Sequence, residues 1–134
     1  MIVLDASVLL KWFVEEEGQS RALSYRQRHL EGKEVIALPE LAFYEIANVF
    51  VARTKLSALE IKGNIHQLLA YGFEVASFAE LPGIVEVARR YQVTIYDAAY
   101  AALAKLLKCP FVTADGRLAK KLHGSHSIRM LASD

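Results

Sequence analysis

The chain has 134 residues, of which 54% are hydrophobic and 23% charged, with 16 basic and 15 acidic side chains and a net charge of +1. That length and balance fit one globular domain with a real core, residues 1–134 without a linker, and leave no uninterrupted apolar run near the ~18 to 20 residues of a membrane span. The near-neutral balance argues neither for nor against nucleic acid as a partner, and the lone Cys109 has no second cysteine to pair with, so it reads as a buried structural thiol.

Ile2-Val3-Leu4 is a short, partly β-branched apolar run, and Asp5-Ala6-Ser7 leads from it into Val8 to Val14, which reads as a helix. No basic region precedes the first strand, so no secretory signal is seen and a cytoplasmic location is the expectation. The Glu15-Glu16-Glu17 triplet is read as a solvated helix end. Gln19 to Leu30 carries Ala22, Leu23, Tyr25 and Leu30 roughly on one face, an amphipathic outer helix ending near Gly32. Val35 to Pro39 reads as a second buried strand, with a helix starting at Glu40.

Leu41 to Arg53 is apolar on almost every side, so it is expected to be buried; its interior polar residues, Glu45 and Asn48, are three apart and share a face. A further helix follows over Ala58 to Tyr71, with Gly72 as its stop, then a strand over Phe73 to Ser77 and a helix from about Pro82 to Gln92. Asp97 opens the apolar helix Ala98 to Leu107, where an N-cap is the ordinary role for such an acid. The Phe111 to Thr113 strand runs into the turn at Asp115-Gly116, Arg117 to Leu122 reads as a short helix, and Ser127 to Leu131 as a last strand.

Short apolar strands alternating with helices predict an α/β domain, a three-layer α/β/α sandwich around a mainly parallel sheet. In such sheets the binding crevice lies beyond the carboxyl ends of the strands. Asp5 and Asp115 directly follow strands, and Glu45 and Asp97 sit on helices that start on the same side. Asp5, Asp97 and Asp115 each have an ordinary cap or turn role, whereas Glu45 in an apolar helix needs a cation or strong donors to offset its desolvation. Four converging carboxylates would repel one another without a cation, and an all-oxygen set suits Mg²⁺ or Mn²⁺ and phosphate chemistry. Neutralising those acids would leave a modestly basic surface, suited to a polyanion. Ser7, Asn48 and Thr113 are expected to support the acids through hydrogen bonds. Lys11, Arg117, Lys120 and Lys121 are candidates for phosphate contacts, and Tyr96 and Tyr100 for base stacking, with core packing favoured for Tyr100.

These residues, Ile2-Val3-Leu4-Asp5-Ala6-Ser7, Pro39-Glu40-Leu41 through Glu45-Ile46-Ala47-Asn48, Tyr96-Asp97-Ala98-Ala99-Tyr100 and Thr113-Ala114-Asp115, give the chain its resemblance to the PIN-domain ribonucleases, most closely the small VapC-type toxins of toxin-antitoxin pairs. The resemblance spans essentially the whole chain. It implies metal-dependent cleavage of RNA, with Asp5, Glu45, Asp97 and Asp115 as the acidic quartet and Thr113 and Asn48 in support, and it implies a homodimer and a cognate antitoxin. A housekeeping RNA-processing nuclease and a catalytically silent PIN-like binding module are the alternatives. A phosphatase or phospho-receiver site fits less well, because Ser7 stands where a second acid would be wanted after the first strand.

Overall fold

A computed structural model describes residues 1–125 and 128–132. Five short strands, β1 (Ile2–Leu4), β2 (Ile36–Pro39), β3 (Glu74–Ala76), β4 (Phe111–Thr113) and β5 (Ile128–Met130), form one sheet in the order β3-β2-β1-β4-β5. All four pairings are parallel. The helices, among the described residues, are α1 (Ala6–Leu9), α2 (Gln19–Leu30), α3 (Leu41–Arg53), α4 (Ala58–Ala70), α5 (Ile84–Tyr91), α6 (Ile95–Leu107) and α7 (Gly116–Lys121). They complete the three-layer α/β/α architecture, and none is long and apolar enough to cross a membrane. Ser127, read from sequence as the start of the last strand, lies outside the described residues.

The strand order fixes where a ligand can sit. From the central β1 the chain steps outward to β2 and β3, then crosses back to β4 on the other side of β1. Connections therefore diverge between β1 and β4, and a crevice opens beyond the carboxyl ends of those two strands. Every residue of β1, β2 and β4 is buried, as expected for a sheet covered on both faces. Helix α6 crosses β2, β1 and β4 with Ala98, Ala99, Tyr100, Ala102, Leu103 and Ala104 inward. Its alanines let the helix lie close to the sheet.

Three local expectations are corrected. The helix after β1 is short: α1 tightens into a 3₁₀ turn at Leu10–Trp12, and the three glutamates are exposed in the loop beyond it. Helix α3 is covered on one face only, by way of Ala42, Ile46 and Phe50, while Tyr44 is 73% and Val51 69% exposed. Its apolar composition exceeds what the chain itself buries. Asp97 does not cap α6. Thr94 does, accepting the Asp97 N–H at 3.0 Å, and this places Asp97 in the first turn with its carboxylate released from the cap position.

Candidate active site

The site is built outward from the end of β1. Asp5 is extended (φ −91°, ψ 177°) and caps α1, so its carboxylate is held under the first turn of that helix and buried. Oδ1 accepts the Ser7 N–H at 3.0 Å, the Val8 N–H at 3.4 Å and the Ser7 hydroxyl at 2.5 Å; Oδ2 accepts the Thr113 hydroxyl at 2.5 Å. Each hydroxyl is in turn held by the β4–α7 turn, since the Ala114 N–H donates to Ser7 Oγ at 2.9 Å and the Asp115 N–H to Thr113 Oγ1 at 3.0 Å. Two backbone N–H groups thus orient two hydroxyls, and these fasten both oxygens of one carboxylate. Burial nevertheless outweighs the four donors and pushes the Asp5 pKa up to about 6.

Asp115 lies one strand away and caps α7, accepting the N–H groups of Arg117 (3.0 Å) and Leu118 (3.2 Å) on Oδ1. It is exposed, in contrast to Asp5. Capping and site-forming coincide at both positions, because the N-terminus of a helix that follows a parallel strand faces the crevice.

Glu45 is carried by α3 and Asp97 by the first turn of α6. The Tyr100 hydroxyl donates to Glu45 Oε1 at 2.6 Å, across 55 positions of sequence. Burial raises the Glu45 pKa, opposed by the Tyr100 bond and reinforced by the charges of Asp97 and Asp5. Asp97 is raised by burial and then by Asp115, opposed by its contact with Thr94 and by the Lys121 ammonium. Glu45 thus feels the charges of Asp97 and Asp5, and Asp97 feels that of Asp115, which links the four acids electrostatically. None of the four forms an ion pair among the described residues.

That arrangement stores uncompensated negative charge, which a divalent cation would relieve. The donor set fits such an ion, being all carboxylate oxygen with hydroxyls behind it. Among the described residues, no three side chains of Asp, Glu, His or Cys stand close enough to cage an ion by themselves. An open site of this kind suits magnesium, which keeps several waters and takes one or two carboxylates along with phosphate oxygens.

The other residues singled out from sequence divide. Ser7 and Thr113 join the network at Asp5. Asn48 is exposed and its side chain makes no hydrogen bond among the described residues. Lys11 is already engaged, its Nζ donating to Glu16 Oε1 at 2.9 Å and to the Glu17 carbonyl at 2.8 Å. Arg117, Lys120 and Lys121 are exposed on α7, and Lys121 is the one whose charge reaches an acid. Tyr96, beside Asp97, is 64% exposed. Sequence reasoning missed Thr94 and the Tyr100 hydroxyl. Thr94-Ile95-Tyr96-Asp97 did carry a signal for the first, a Thr three residues before an acid at a helix start.

A family model described as the PIN domain matches residues 2–122. The chain is 31% identical over 126 residues to Ribonuclease VapC3 of Pyrobaculum aerophilum, covering 90% of this chain and 93% of that one. Among solved structures it is similar to PAE2754 from Pyrobaculum aerophilum, with a TM-score of 0.68 and 24% identity over 97% of this chain and 83% of that one. It is also similar to a chain of FitAB bound to an IR36 DNA fragment, with a TM-score of 0.69 and 16% identity over 97% of this chain and 94% of the other. At those identities the two structures speak for the fold.

Proposed function

The chain belongs to the PIN-domain family, and on that premise we propose that it is a ribonuclease, the toxin of a toxin-antitoxin pair, which hydrolyses RNA phosphodiesters at the acids Asp5, Glu45, Asp97 and Asp115. The observation that carries the reading is the electrostatic link among four carboxylates that form no ion pair among the described residues, beside the divergence of β1 and β4. Residues 1–134 act as one catalytic domain, in the cytoplasm where an RNA substrate and an antitoxin are met. The uncovered apolar face of α3 around Tyr44 and Val51 supports a homodimer.

A bound Mg²⁺ or Mn²⁺ would supply a water of lowered pKa and positive charge at the phosphate. Asp5, Asp97 and Asp115 would hold it partly through its waters, with Glu45 as a ligand through water or a proton acceptor. Ser7 and Thr113 keep Asp5 in one rotamer, so the first ligand is set before any ion arrives. Lys121, near Asp97, and Arg117 and Lys120 on the same helix would meet the RNA backbone.

The test is cleavage by antitoxin-free protein of a panel of structured and unstructured RNAs, with Mg²⁺, Mn²⁺ or EDTA, beside Asp97→Asn. Cleavage with either metal that disappears in EDTA and in the variant is the expected result. Cleavage that survives EDTA, or that wild type and variant share, refutes the mechanism.

A further inference from the structure

We propose that Tyr100 is a positioning residue for Glu45, its buried hydroxyl holding Oε1 of that carboxylate so that Oε2 is the oxygen turned to a cation or its water. The assignment rests on the nuclease reading above and goes further, because it gives a function to a side chain that core packing alone does not explain. The Tyr100 ring is 1% exposed and stacks on Phe111, with centroids 5.8 Å apart and planes at 12°. Phenylalanine would fill that place equally well. A hydroxyl there must find a partner or lose its hydration uncompensated, and the partner it finds is a carboxylate of the site.

The direction of the bond is fixed. The phenol hydroxyl donates and the carboxylate oxygen accepts, at 2.6 Å. Tyr100 itself stands three positions after Asp97 on α6, close to one helical turn. One hydroxyl therefore ties helix α3 to helix α6, and it does so at a carboxylate that feels the charges of Asp97 and Asp5. The Glu45 side chain makes no other hydrogen bond among the described residues. Without the phenol its flexible side chain would be driven toward solvent by Asp97 and Asp5, whose charges oppose its own.

A double-mutant cycle tests this, read first by Mn²⁺ titration of the antitoxin-free protein and then by RNA cleavage. Tyr100→Phe is expected to weaken Mn²⁺ binding about tenfold or more, the size of effect that follows loss of a group orienting a metal ligand. Its kcat should fall with KM for RNA unchanged within about twofold, since no contact to substrate is removed. On a Glu45→Gln background, Tyr100→Phe should change neither quantity further. Equal losses on both backgrounds, no loss on wild type, or a Tyr100→Phe chain that fails to fold would each assign the hydroxyl to the core and overturn the proposal. Wild-type protein that neither binds Mn²⁺ nor cleaves RNA would remove the nuclease reading with it; wild type that does both, with additive variants, removes the Tyr100 assignment alone.

Discussion

The strand side and the helix side of the crevice hold their acids in different ways. Asp5, at the end of β1, accepts two hydrogen bonds from the first turn of α1 and two from hydroxyls that the β4–α7 turn fixes in place. Glu45 and Asp97 come from helices and lean on one side-chain neighbour each, Tyr100 and Thr94. A strand end is locked by ladder bonds on both sides, so a short side chain there has one position. A helix places a backbone well but leaves the end of its side chain to whatever neighbour reaches it. The strand side is thus preset for a ligand, and the helix side is the part that charge repulsion can spread.

The largest effect should come from removing an acid on either side. Asp5→Asn and Asp97→Asn should each lower cleavage by at least about 10²-fold, more than the ten- to hundredfold typical of losing an outer partner of a ligand. Their stabilities should sharpen the contrast. Asp97→Asn relieves repulsion with Asp115, so the metal-free variant should melt slightly above wild type, trading activity for stability.

Proton linkage should show the strand side next. Asp5 has a pKa of about 6 in the folded chain against 3.8 for the ordinary group. The folded protein therefore binds more protons than the unfolded chain between those values, and stability falls as pH rises through that window. The difference corresponds to about 3 kcal/mol at most, with Glu45 and Asp97 adding in the same direction. Urea unfolding in EDTA should show the protein more stable near pH 5 than at pH 7. Saturating Mg²⁺ should flatten or reverse that slope, because the ion binds the ionised folded form. A slope rising with pH in EDTA would mean that the acids are compensated by something other than a cation.

A smaller effect separates the two kinds of support. Thr113→Val strips a donor from Asp5 Oδ2 and an acceptor from the Asp115 N–H, and should cost about 1–3 kcal/mol because both partners are left unpaired. Thr94→Val removes one N-cap bond from α6 and should cost about 1 kcal/mol. Equal costs, measured by chemical unfolding, would erase the distinction between the two sides.

Much of this was readable from the residues, for reasons that also mark where reading stops. Ile2–Leu4, Ile36–Pro39 and Phe111–Thr113 announce themselves as buried strands because apolar, β-branched runs end at Asp5, Pro39 and the Asp115 turn. Once the sheet is parallel, acids directly after strands must lie at its carboxyl edge. Helix α3 was misjudged because composition reports how apolar a helix is and not how much of it one chain covers; Tyr44 and Val51 are left outside. The Tyr100–Glu45 bond was illegible for another reason. Two residues 55 apart carry no mark of their contact in a single sequence, and a tyrosine among alanines reads as core.

The smallest predicted effect concerns cations that sequence alone could not tell apart. Lys11 and Lys121 both looked like phosphate contacts. Lys11 spends its ammonium on Glu16 and on the Glu17 carbonyl, whereas Lys121 is exposed on α7 with its charge acting on Asp97. A lysine that contacts one phosphate of a single strand contributes about 0.7 to the slope of log K against log salt. In binding titrations with the inactive Asp97→Asn protein, Lys121→Met should reduce that slope by about this amount. Lys11→Met should leave it unchanged and cost at most about 1 kcal/mol of stability, the usual size for a pair with one solvent-exposed partner. Should Lys11→Met lower the slope instead, its ion pair with Glu16 opens when RNA binds, and the strand side would be the less rigid of the two.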